Sequence, residues 1–303
     1  MKEVREIIRF WEARRRQPLA LATLVAARGS SYRRPGARML ISAGGESAGG
    51  ISAGCIEDDV IVCAREVLRS GAPRLMTFDT RLRFGCAGTI DIFVERVRDE
   101  LMAELRNSLC QRQGCRLETV LHGTARGTCI TTGIEAGSDT FLQTIEPALQ
   151  LILIGDSSDT DALRAHAELL GWDVVQMNAA PVPPEMLDHR TAVVLATHNF
   201  GRDCAALREL LPAGLKYLGL IGSRRRRDDL LFDVMHHRVN CHSRLFAPAG
   251  LHLGAESPEE IALSIAAEIQ SVFAHGTGEQ LRNRRAPIHQ PAVQTFACAK
   301  SPA

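Results

Sequence analysis

The chain has 303 residues with 36 basic and 35 acidic side chains, a formal net charge of +1, and a length that suggests about two domains at roughly 150 residues each. That balance lacks the broad basic surface that nucleic acid or an anionic membrane would need, and no apolar run approaches the roughly 20 residues that span a bilayer. The opening MKEVREIIRFWEARRR has no uninterrupted apolar stretch of the signal-peptide kind, and nine scattered cysteines point to free thiols in a reducing cytoplasm.

Val4, Ile7, Ile8 and Trp11 recur at helical spacing, so the chain opens on an amphipathic helix. LALATLVAA (19–27) reads as a buried strand and ARMLI (37–41) as a second. GGISAGC (49–55) is a small-residue turn, and 56–71 is a helix that Gly71 closes. Strands are expected at 74–78 and 89–97, a helix at 98–113, and strand pieces at 116–121 and 128–133. Strands and helices alternate here without a clean repeat, which is an α+β pattern.

After Glu146-Pro147 the character changes. Strands at 149–155, 173–177, 191–197 and 216–221 alternate with helices at 159–170, 202–211 and 223–236. Such alternation builds a parallel, doubly wound sheet. Ser257-Pro258-Glu259-Glu260 carries an N-cap, a first-turn proline and first-turn acids, and opens a last long helix. The fold class is therefore α/β, with an α+β domain over 1–146, a Rossmann-like domain over 147–275 and an aperiodic tail over 276–303.

Three runs in the first half carry chemistry. In GGISAGCIEDDV (49–60), Cys55 stands just before a helix, whose N-terminal N–H groups and dipole favour a thiolate. Glu57, Asp58 and Asp59 oppose this by like-charge repulsion, and a buried, inert cysteine beside a tight turn is the competing reading. Glycines at 49, 50 and 54 allow close approach to the backbone. In RLRFGCAGTIDIF (81–93), Cys86 lies between Gly85 and Gly88 with Arg81 and Arg83 upstream. ARGSSYRRPGARMLI (27–41) is a loop whose Arg28, Arg33, Arg34 and Arg38 suit phosphate or carboxylate, or simply a solvated surface.

In the second half, a strand–turn–helix layout at 151–172 has a broken dinucleotide fingerprint. Gly155 is present, but Ser157 and Thr160 replace the next two glycines, and Asp156, Asp159 and Asp161 repel a pyrophosphate. The next strand ends without the acid that would hold a ribose, so NAD(P) is not expected. Thr197 and His198 end a buried strand, with Asp203 early in the next helix. There His198 is an acid–base group or a ligand contact, or else a residue that bonds locally and shapes its loop. Ser223 caps a helix that begins with four arginines, a locally unfavourable arrangement that calls for an anion or acidic side chain at Ser223 or Arg224, the competing reading being a solvated basic face. His236, His237, Cys241 and His242 match no zinc spacing, and no metal site is expected.

Taken in order, GSSYRRPGARMLI, GGISAGCIEDDV (Gly-Cys-x-Glu at Gly54, Cys55 and Glu57), FGCAGTIDIFVE, the Glu146-Pro147 linker, ATHNFGRD, YLGLIGSRRRR and APAGLHLGAESPEEIALSIAAEI resemble the XdhC/CoxI family. These are accessory proteins for maturation of xanthine dehydrogenase and related molybdenum hydroxylases. The resemblance implies an XdhC/CoxI-type domain followed by a Rossmann-like one. It also implies a chaperone, not a turnover enzyme, that binds the molybdenum cofactor in its molybdopterin form. Delivery in sulfurated form to an apo xanthine dehydrogenase-type hydroxylase would follow. A cysteine desulfurase is a further implied partner, and a homo-oligomer is expected.

The cofactor-binding candidates are Cys55, Cys86, Glu57, Gly54, Arg33, Arg34, Arg38, His198 and Ser223, with no catalytic residue among them. Cys55 and Cys86 are expected to share one cleft, with Glu57 at its border and loop 28–38 at its rim. The chain departs from the family at Gly155-Asp156-Ser157-Ser158, and at Cys86-Ala87-Gly88 where Cys-Gly-Gly is usual. Two rival functions are an NAD(P)-dependent oxidoreductase and an interaction scaffold with structural cysteines, and thiol alkylation rates separate the scaffold from the chaperone.

Overall fold

The computed structural model describes residues 1–29, 31–52, 54, 56–79, 88–133, 139–236, 239 and 243–285. They fall into two compact units, Met1–Pro147 and Ala148–Arg285.

The first unit contains helix α1 (Lys2–Glu12), strands β1 (Leu19–Gly29), β2 (Arg38–Ser42) and β3 (Ser47–Gly49), helix α2 (Glu57–Ser70), strands β4 (Arg74–Asp79) and β5 (Gly88–Arg96), helix α3 (Asp99–Cys110), and strands β6 (Cys115–Val120), β7 (Gly127–Thr131) and β8 (Thr140–Ile145). Five strands form an antiparallel sheet in the order β3-β2-β1-β5-β4. Its central strand β1 buries eight successive residues because both faces are covered. On one face Ala20, Ala22, Leu24, Ile41, Ile92 and Val94 pack against Val60, Ala64 and Val67 of α2. On the other, Leu19, Leu21 and Leu40 meet Ile7 and Trp11 of α1, Leu101 and Leu105 of α3, and Leu117 and Ile145 of a second antiparallel sheet, β7-β6-β8. Each such buried aliphatic side chain contributes about 1.5–3 kcal/mol. The Trp11 indole N–H donates to Asp99 at 2.7 Å and ties α1 to the start of α3.

The second unit contains β9 (Gln150–Ile154), α4 (Ser158–Leu169), β10 (Asp173–Met177), β11 (Thr191–Leu195), α5 (Phe200–Leu210), β12 (Tyr217–Leu220), α6 (Arg224–His236), β13 (Leu245–Phe246) and α7 (Pro258–Phe273). All five strands are parallel, in the order β10-β9-β11-β12-β13. Alternate side chains of the sheet feed two cores. Ile152, Ile154, Val193 and Leu195 pack with Leu207 of α5 and Leu230 of α6, while Leu151, Leu153, Ala192 and Val194 pack with Leu163 of α4 and Ile265 of α7. This is the continuous apolar strand pattern of a sheet buried on both faces. Ser257 and Glu260 form the capping box that opens α7.

Strands β3, β8 and β13 were not foreseen from the sequence. They are short or partly polar, and their pairing to β2, β6 and β12 defines them. No helix among the described residues is long and apolar enough to cross a membrane.

Candidate functional site

Strand register brings the three chemistry-bearing runs of the first unit to one end of its five-stranded sheet. Gly29 lies opposite Gly88, Arg38 opposite Thr23, Gly49 opposite Met39, and Asp79 opposite Thr89. The connections that leave β1, β3 and β4 therefore all start at this end. Cys55 and Cys86 lie outside the described residues; Gly54, Ile56 and Gly88 flank them in sequence.

The turn before α2 is tied by Glu57. Its carboxylate accepts from the Ser52 N–H at 2.8 Å, the Ser52 hydroxyl at 2.5 Å and the Ile56 N–H at 3.2 Å. Gly54 is exposed and donates its N–H to Ser52 Oγ at 3.2 Å. Burial, the largest single influence on the Glu57 carboxyl, would raise its pKa, but the Ser52 and Ile56 donors together hold it below the ordinary value. Glu57 is thus a carboxylate that shapes the turn. At the other end of the turn, Gly49 has φ +81°, and a Cβ there would stand 2.3 Å from the Arg38 carbonyl oxygen, so only glycine fits.

Arg33 pairs with Glu3 of α1, whose other carboxylate oxygen accepts from the Gly50 N–H at 2.9 Å. Glu3 therefore links the basic loop to the turn before α2, a role that its place in the first turn of α1 did not announce. Arg34 and Arg28 are both exposed, and Arg28 pairs with Asp91 at 3.0 Å.

Arg38 departs from expectation. It is only 5% exposed and lies between the two sheets, where its guanidinium bonds Gln143 and the Gly36 carbonyl. On β2 it lies cross-strand from Thr23, on the face that also carries Leu21 and Leu40, so it points inward and cannot rim a surface cleft. Burial lowers its pKa to about 10.

In the second unit, the sheet order reverses between β9 and β11, and their carboxyl ends form the crevice where open α/β sheets take ligands. Gly155 has φ +136°, and a Cβ there would meet the Ala196 carbonyl oxygen at 2.3 Å. Ser157 and Thr160 act on each other: the Thr160 hydroxyl accepts from the Ser157 N–H at 2.9 Å and donates to the Ser157 carbonyl at 2.7 Å. The residues that replace the fingerprint glycines thus close the start of α4. His198 is a left-handed residue at φ +52°, 53% exposed, with Nε2 3.6 Å from Asp159 Oδ2. Buried Asp203 joins the neighbouring runs, accepting from the Thr197 hydroxyl and from Arg226, each at 2.6 Å. Ser223 caps α6 by accepting from the Arg226 N–H at 3.2 Å. The acidic partners of the arginine run are Asp203 on Arg226 and Asp228 on Arg227, whereas the sequence places the contact at Ser223 or Arg224. Of the four candidate ligands around 236–242, only His236 is described, and no group of three or more possible metal ligands occurs among the described residues.

An α+β unit with its loops gathered at one sheet end, in the same chain as a doubly wound unit, is the architecture shared with a set of known proteins. Residues 12–79 match the model of the XdhC and CoxI family, and residues 151–269 match that of the XdhC Rossmann domain. The chain belongs to the XdhC and CoxI family. It is 28% identical to a probable xanthine dehydrogenase subunit of Bacillus subtilis, over 82% of this chain and 91% of that one. It is 29% identical to the molybdenum cofactor insertion chaperone PaoD of Escherichia coli, over 84% of this chain and 83% of PaoD. The crystal structure of a Bacillus halodurans protein described as a xanthine dehydrogenase has the same fold, with a TM-score of 0.74 at 25% identity, over 94% of this chain and 98% of that one.

Proposed function

We propose that the chain is an insertion chaperone that binds the molybdenum cofactor at the loop end of its antiparallel sheet. It delivers the cofactor, in the cytoplasm, to an apo molybdenum hydroxylase of the xanthine dehydrogenase type. The observation that carries this reading is the register that starts the loops of the basic run, the Cys55 run and the Cys86 run at one end of one sheet. The similarity to PaoD across most of both chains supports the ligand class, and the similarity to a probable xanthine dehydrogenase component supports the client class.

The residues present fit such a ligand. Molybdopterin carries a phosphate and an oxidisable dithiolene on a fused heterocycle. Exposed Arg34 supplies positive charge for the phosphate. At Gly54 no described residue beyond its chain neighbours stands within 4 Å of where a Cβ would be, which is room for a ligand in this reading. Glu57 and Glu3 hold the turn in shape, their carboxylates engaged by backbone N–H groups and by Arg33. Cys55 and Cys86 are the ligand-proximal thiols of this reading.

The test is the pterin that co-purifies from cells able to make molybdopterin, read by the fluorescence of its oxidised form. Wild type is expected to carry pterin, and Cys55→Ser or Cys86→Ser to carry much less at an unchanged Tm. A wild-type protein that emerges without pterin would overturn the reading.

A further inference from the structure

We propose that Tyr32 is the platform on which the heterocyclic ring of the carried cofactor stacks, an assignment that rests on the cofactor-binding reading above. Among the described large apolar side chains of the first unit, two stand exposed: Tyr32 at 67% and Val62 at 55%. Val62 belongs to the flank of α2, where it lines an open groove with Met76 and Phe78 of β4. Tyr32 is in the loop between β1 and β2, at the sheet end to which the candidate runs come.

A single exposed aromatic is ordinary on a protein surface. This one is held out by an ordered loop. Ser31 Oγ donates to the Arg33 carbonyl at 2.8 Å, and the Ala37 N–H donates to the Arg34 carbonyl at 3.1 Å. The Gly36 N–H donates to the Leu24 carbonyl at 2.7 Å, which pins the loop to β1. Arg33, the next residue after Tyr32, reaches through Glu3 to the Gly50 N–H of the turn that carries Cys55. Hydrogen bonds within residues 31–37 thus brace the backbone around an aromatic ring that stands exposed.

The aminopyrimidinone ring of the pterin is flat and conjugated, and offers a π face to such a ring as nucleobases do to exposed aromatics. Arg34 is an exposed residue two positions on in the same loop, a source of positive charge for the phosphate of a cofactor whose heterocycle lies on Tyr32. Removing a stacking aromatic costs roughly tenfold in affinity or more.

The experiment measures pterin per polypeptide, and its release rate after dilution, for the full chain purified from molybdopterin-producing cells. Wild type and Tyr32→Phe are expected to retain the cofactor alike, because both present a ring. Tyr32→Leu and Tyr32→Ala should release it about tenfold faster, with Tm unchanged since the side chain is exposed. If wild type is loaded and Tyr32→Leu holds its pterin as long, the stacking assignment is overturned while the cofactor reading stands. Wild type without pterin would instead sink the cofactor reading, and the platform with it.

Discussion

Glu57 is the acidic residue nearest Cys55 in sequence, and its carboxylate is turned onto three donors of its own turn. Charge directed at hydrogen bonds is less available to repel a neighbour. Replacing it by alanine orphans those donors, and the expected cost is about 1–3 kcal/mol in urea unfolding. The sign with pH follows from its lowered pKa. The contribution is fully present above the unfolded value of 4.5 and is lost as the pH falls through the folded value. The stability gap between wild type and Glu57→Ala should therefore narrow below pH 4.5; a gap that stays constant would contradict this. Arg38 invites the opposite experiment. Its Nε and Nη2 have no hydrogen-bond partner among the described residues, and its Nη1 is held by Gln143 and Gly36. Gln143→Leu alone leaves a buried cation with one acceptor fewer and is expected to cost about 2–4 kcal/mol. Arg38→Met with Gln143→Leu removes the charge as well and should recover most of that loss. Equal destabilisation of the single and double variants would show that the guanidinium is not a burden. Thiol chemistry gives a third check. Burial raises the pKa of Cys63 and Cys115, and burial together with Asp233 raises that of Cys204 to about 11, while Cys110 is exposed. Iodoacetamide at pH 8 should label Cys110 well ahead of those three in the native protein, as read by peptide mass spectrometry.

At the scale of elements, the start of α4 decides what the Rossmann-like unit can hold. A dinucleotide needs glycines where its pyrophosphate meets the helix N-terminus. Here Ser157 and Thr160 bond each other at that place, and Asp159 faces His198 across the crevice. We expect no NAD binding at millimolar concentration by calorimetry, and a clear isotherm would refute this. Much of that element was legible in the sequence, because the missing glycines and the aspartates are local facts. Four of the five strands of the parallel sheet, β9 to β12, were legible for the same reason, as apolar runs between helical stretches, whereas β13 was not. What the sequence hid was decided by partners. Ser47–Gly49 has no strand preference of its own and becomes β3 by pairing with β2, while Thr140–Ile145 becomes β8 by pairing with β6. Arg38 looked like one of four loop arginines, but the alternation of β2 turns it inward, and one residue of register separates the two fates. Glu3 carried no signal, since acids are common in first helical turns and its bonds to Arg33 and Gly50 are long-range.

At the scale of the whole chain, the two units are built on different physics. The first stacks a mixed-face antiparallel sheet between α2 on one side and α1, α3 and a three-stranded sheet on the other. The second wraps a parallel sheet with two helix layers, and each layer closes a core of its own. Parallel strands need crossovers, and every crossover of this sheet lies within Ala148–Arg285. A unit that contains all its strands, its crossovers and both of its cores meets the conditions for folding alone. Expressed by itself, 148–285 is therefore expected to unfold in one cooperative transition. In the full chain, calorimetry should show a transition at the same temperature, beside a second that belongs to 1–147. The two should also respond separately. Gly49→Ala forces a Cβ against the Arg38 carbonyl in the first unit and should lower only the transition of 1–147. Gly155→Ala does the same against Ala196 and should lower only the other. A single transition that either substitution moves as a whole would mean that the chain unfolds as one cooperative body, against the independence argued from its cores.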